Sequence, residues 1–170
     1  AVMLGALEIL IDRKVSPAST IARERIDMQD RGDYSLFKEL LRYTPGGEEL
    51  PTIFLQPKKW NGHVVLWFDG AGKSALLDSS GAPHEAIKRL LAEGSAVASA
   101  DLFAQGEFLT DGKPLAETAV VTNPRQVAAY TDGYNNTVFA RRVQDMLSLA
   151  SFVIADEQTP KRLSIVGIHG

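Results

Sequence analysis

The chain has 170 residues, 18 Lys and Arg against 21 Asp and Glu, a formal charge of −3, no cysteine and an apolar fraction of 45%. That length suits one domain able to withdraw about two-thirds of its unfolded surface from water. The charge excludes an electrostatic footprint for nucleic acid or an anionic membrane, and the missing cysteines exclude disulfides, thiolate zinc sites, iron–sulfur clusters and a cysteine nucleophile.

Residues 1–15, AVMLGALEILIDRKV, are apolar but carry Glu8, Asp12 and Arg13. They lack a basic leader and a run of about 20 apolar residues, so they read as neither an intact signal peptide nor a membrane span. The compartment stays open. The charged stretch ARERIDMQDRGD that follows suits a surface helix ending near Gly32. Residues 34–43, YSLFKELLRY, read as a short amphipathic segment with Leu36, Phe37, Leu40 and Leu41 on one side. TPGGEELP is turn chemistry, and residues 1–49 are therefore expected to form a helical or irregular segment.

From residue 52 the pattern changes. TIFLQP reads as a short strand, and HVVLWFDG as a strand buried on both faces. APHEAIKRLLAEG repeats apolar residues at helical spacing and stops at Gly94. SAVASADLF is the next strand, followed by a long loop. Residues 124–154 are rich in helix formers, with Val138, Val143, Met146, Leu147 and Phe152 in helical period, and RLSIVG is the last strand. This alternation predicts an α/β fold, a three-layer sandwich around a mostly parallel sheet. Ligands in such sheets lie outside the carboxyl ends of the strands, so the turns after Phe68, Ala100 and Val166 matter most.

The first turn holds Gly70-Ala71-Gly72-Lys73-Ser74, which imitates the end of a phosphate-binding loop. Counting back from Gly72, the loop's first glycine falls where Trp67 stands, and the next helix is delayed by DSSGAP. A strand-exit turn is the plainer reading. The second turn begins with Asp101, either an acidic ligand to ribose or metal, or a carboxylate that braces its own loop by accepting backbone N–H bonds. The third, Gly167-Ile168-His169-Gly170, has the form of a nucleophile elbow, G-x-S-x-G, with His169 where serine would stand. His63, His84 and His169 are spaced too widely for a metal cluster unless the fold gathers them, so neither metal nor cofactor is expected.

In their order, VVLWFDGAGKSA, APHEAIKRLLAEGSAVASADLFAQGEF and YTDGYNNTVFARRVQDMLSLASFV before RLSIVGIHG resemble the amino-terminal half of an α/β-hydrolase. More narrowly, they resemble the acetyl xylan esterase-like and dienelactone hydrolase-like branch, over residues 50–170. The resemblance implies a truncated α/β-hydrolase fold related to carboxylic ester hydrolases. It places oxyanion-hole amides at Gly70 or Ala71 and at Gly170, His169 at the nucleophile position and Gly167 at the elbow, with Asp101 in a loop near the site. Arg141 and Asp145, four apart on one helix, are expected to brace each other or a loop.

The departures define the functional expectation. The serine is absent, and the family's acid and histidine follow the elbow, whereas this sequence stops one residue past it. The scaffold is expected to be inactive toward a small ester or an acylated carbohydrate, as part of a longer design. Its last strand, left at an edge, is expected to be covered by a second copy. The alternatives are a non-catalytic binding module on the same scaffold, or a nucleotide binder using Gly72, Lys73 and Ser74.

Overall fold

The computed structural model describes residues 5, 9–11, 15, 17–111, 113, 115, 136–155 and 158–169. Six strands form one sheet: β1 (Ile21–Asp30), β2 (Tyr34–Tyr43), β3 (Glu48–Pro57), β4 (His63–Asp69), β5 (Ala96–Ala100) and β6 (Arg162–Ile168). Among the described residues, the α-helices α1 (Glu85–Ala92) and α2 (Val138–Ile154) accompany them. The strand order across the sheet is β1-β2-β3-β5-β4-β6.

The expectation of a mostly parallel sheet is corrected. β1 with β2, β2 with β3 and β3 with β5 pair antiparallel, and only β4 with β5 and β4 with β6 pair parallel. The short connections 31–33 and 44–47 allow only hairpins, since a parallel neighbour needs a crossover of a dozen residues or more.

The helical reading of residues 21–43 falls with it, because both segments are strands. In β2 the helical stripe dissolves into alternation, with Leu36 on one face and Glu39 and Leu41 on the other. β1 is nearly all exposed beyond Ile21, and two of its charges sit opposite a counter-charge in β2, Arg25 facing Glu39 and Asp27 facing Lys38. Arg25 lies in register with Glu39 and bonds it at 3.1 Å; Arg42 holds both Glu24 and Glu49. Cross-strand pairing thus accounts for charges that in isolation read as a solvated helix. A charged edge also discourages further strand addition.

The remaining elements follow their apolar patterns, and each face of the sheet carries a helix. Val64, Leu66, Phe68, Ala96 and Ala98 pack toward Leu149 and Val153 of α2. Ile53, Leu55 and Val97 pack toward Ile87 of α1 and Leu76. Fully burying a Leu, Ile or Val side chain contributes about 1.5–3 kcal/mol. Thr137 caps α2 by accepting from Ala140 N at 3.1 Å, and Gly94 (φ 85°) ends the turn after α1.

At the amino-terminal ends of β4, β5 and β6, buried His63 joins three strands. Its Nδ1 lies 3.0 Å from Ser95 Oγ and 3.0 Å from Arg162 Nη2, and its Nε2 lies 3.0 Å from Ser164 Oγ. A guanidinium can only donate, so Nδ1 accepts and Nε2–H donates to Ser164. Burial, and then the Arg162 charge, push this imidazole below its ordinary value, against a smaller opposing effect of Glu93. The unfolded chain therefore takes up this proton at higher pH than the folded one. His63 contributes its stability in full above about pH 6.5 and loses it as pH falls further. Urea unfolding from about pH 8 down to about pH 5 is expected to show a decline in stability that His63→Gln flattens. Equal slopes in both proteins would refute this.

Candidate functional site

The carboxyl ends of β4, β5 and β6 lie at one end of the sheet. The chain leaving β4 passes to the α1 face, whereas the chain leaving β5 leads to α2 on the other face. That divergence is the switch-point geometry at which open α/β sheets place ligands. Here the space between the two exits is occupied by a clamp around one carboxylate.

Asp101 ends β5 with 1% of its surface exposed. Its Oδ1 accepts from Lys73 N at 2.8 Å, and its Oδ2 accepts from Glu107 N at 3.0 Å and from Lys73 Nζ. Lys73 Nζ also meets Glu107 Oε1 at 2.6 Å. One buried carboxylate thus ties the β4 loop to the β5 loop, which is the bracing alternative for Asp101. Gly72 (φ 85°) and Gly106 (φ 50°) are required twice over. Both adopt a left-handed backbone, and a Cβ at either would overlap the Asp101 carboxylate. Gln105 adds a bond from Nε2 to Gly70 O at 3.1 Å, while its buried Oε1 has no partner among the described residues.

The β4 exit is a tight turn in which every amide is engaged. Gly70 N donates to Ile168 O at 3.0 Å, Ala71 N to Asp69 Oδ1 at 2.9 Å and Gly72 N to Asp69 O at 2.9 Å. At the two positions expected as oxyanion donors, Gly70 N therefore ties the turn to β6 and Ala71 N holds the turn to Asp69. Lys73, which made the string look like a phosphate loop, spends its charge on two carboxylates and opens a four-residue 3-10 turn rather than an α-helix.

The β6 exit lies against that turn. His169 has φ 54°, a left-handed backbone costly for a residue with a Cβ, and its side chain is 80% exposed. Its Nδ1 is 3.4 Å from Asp69 Oδ2. Gly70 is a glycine for this neighbour, because a Cβ there would overlap the His169 carbonyl oxygen. Gly167, placed at the elbow by the resemblance, is not crowded: a Cβ would meet nothing within 4 Å among the described residues. Gly170 lies outside the described residues.

The structure therefore brings Gly70, Ala71, His169 and Asp101 to one end of the sheet. It adds Asp69, Gln105 and Glu107, which the sequence reading passed over, and it turns Lys73 from a phosphate-loop residue into a partner of two carboxylates. Only the position of Lys73 in a strand-exit turn facing a second strand-exit carboxylate could have signalled the pair. Asp145 accepts from Phe103 N at 2.7 Å and so braces the β5 loop, while Arg141 lies 3.6 Å from Glu48. Among the described residues no group of three or more His, Asp or Glu is placed to hold a metal ion, and no helix is long and apolar enough to cross a membrane.

The clamp makes a direct prediction. Asp101→Ala leaves Lys73 and two loop amides without their shared acceptor and is expected to cost on the order of 3–5 kcal/mol. Gly106→Ala, which strains the backbone and displaces the same carboxylate, is expected to cost on the order of 1–3 kcal/mol. Urea midpoints measure both, and an Asp101→Ala loss below about 1 kcal/mol would contradict the clamp.

No protein-family model matches the chain, and no curated protein matches it in sequence. Solved structures do match in fold. Acetyl xylan esterase 1 from Thermoanaerobacterium sp. JW/SL YS485 aligns over 94% of this chain and 48% of its own length, with a TM-score of 0.59 and 19% identity. A putative acetyl xylan esterase from Bacteroides fragilis NCTC 9343 aligns over 95% of this chain and 44% of its own, with a TM-score of 0.66 and 16% identity. The chain spans less than half the length of either, and it shares the α/β fold of that portion of these two acetyl xylan esterase structures.

Proposed function

We propose that the chain is an α/β-hydrolase scaffold of the carboxylic ester hydrolase type whose nucleophile position is held by His169 and which does not turn over esters. The observation that carries this reading is the backbone of His169. It leaves a parallel strand at φ 54°, beside the loop after β4, where an enzyme of this type holds its serine on a strained turn. Likeness of fold to acetyl xylan esterases supports the ester class, with a small ester or an acylated carbohydrate as the ligand.

Acyl transfer needs a nucleophile, a base and donors to the developing oxyanion. His169 brings an imidazole in place of the hydroxyl, and the buried His63 sits at the other end of β4, about 20 Å away by strand length. The amides of Gly70 and Ala71 are satisfied by Ile168 O and Asp69 Oδ1, so donating to a substrate would mean breaking bonds that hold the turn. Losing one oxyanion donor alone costs about 10²–10³ in rate. The same satisfied amides favour a second reading, a binding module on this scaffold.

Release of acetate from short-chain esters and acetylated oligosaccharides tests the proposal. Neither the protein nor His169→Ser is expected to exceed the buffer rate, because serine alone gains no base. Turnover that disappears in His169→Ala would sink it. Thermal stabilisation by an acylated sugar without turnover would select the binding module.

A further inference from the structure

A concavity lies on the α2 face, toward the amino-terminal ends of β4 and β5, at the opposite end of the sheet from His169. It encloses about 310 Å³, at the lower end of the range for small-molecule pockets. Its origin is the sequence of β5. Ala96 and Ala98 face α2 and leave room that larger core residues would fill.

The walls are aromatic. Phe54 of β3 and Phe152 of α2 meet with ring centroids 5.8 Å apart at 57°. The Trp60 indole closes a third side, fixed by its Nε1–H donating to His63 O at 2.9 Å. The rim is cationic. Arg25 is neutralised by buried Glu39 at 3.1 Å and lies 4.7 Å over Phe37. Arg23 is different: its guanidinium sits 5.7 Å from the Phe152 ring centroid and has no carboxylate partner among the described residues. Of these three charged groups on the groove, one positive charge is left over. The Gln56 side-chain amide lies in the same wall.

We propose that this groove binds a small aromatic carboxylate, a single ring with a short acid chain. The ring lies among Phe54, Trp60 and Phe152, where flat apolar surfaces pack with offset or edge-to-face geometry. The carboxylate reaches Arg23, whose planar fork matches it in two parallel hydrogen bonds. Gln56 offers a further amide donor. The site is independent of the ester-hydrolase reading, since it shares no residue with the turns at the other end of the sheet.

The test uses 3-phenylpropionate and its neutral amide, with intrinsic fluorescence as the readout. Trp60 is one of only two tryptophans, and Trp67 packs with the α1-side cluster. The acid is expected to give a saturable change with a Kd of about 1 mM or lower, and the amide to bind about tenfold more weakly. Arg23→Gln, at an exposed edge-strand position, removes that tenfold preference without unfolding the chain. Trp60→Phe keeps the Trp67 signal and loses the response. Absence of saturation, equal binding of acid and amide, a preference retained in Arg23→Gln, or a response retained in Trp60→Phe would each overturn the assignment.

Discussion

The carboxylate of Asp101 is the constraint from which the carboxyl end of this sheet is built. It is withdrawn from water at the end of β5, where a bare charge would be costly, and it is stabilised by two backbone amides and the Lys73 ammonium. Each of those donors belongs to a loop whose path it then dictates. Lys73 fixes the chain leaving β4, Glu107 fixes the chain leaving β5, and the two glycines that admit the carboxylate set the backbone between. Such a group confers register more than net stability, since an apolar replacement of both partners can be as stable.

From that clamp the geometry extends to the third strand end. The β4 turn, held by its own amides, presents the Gly70 backbone so closely to His169 that only glycine fits. His169 in turn carries a strained backbone and an exposed imidazole beside Asp69. Backbone strain of this kind clusters at functional sites. In the ester hydrolase reading proposed above, a hydroxyl would stand where this imidazole does.

Much of this was legible in the sequence because the decisive signals are local. The unbroken apolar run of β4, the helical spacing in α1 and α2, Gly94 and the odd perch of His169 all show within about a dozen residues. β1 and β2 look helical in isolation because charges such as Arg25 and Glu39 find partners across a ladder, so the information lies in the pairing rather than in either segment. The Asp101–Lys73 clamp spans 28 positions and Asp69 to His169 spans 100, distances over which periodicity carries nothing. The aromatic groove is similar: alanines of β5 create it, and rings from three separate parts of the chain line it.

Native-state hydrogen exchange tests the central claim most directly. If one carboxylate clamps both loops, the amides of Lys73 and Glu107 open together, with matching protection well above that of an exposed loop. Exchange of either amide at the rate of an unstructured chain, or protection that differs widely between them, would contradict it.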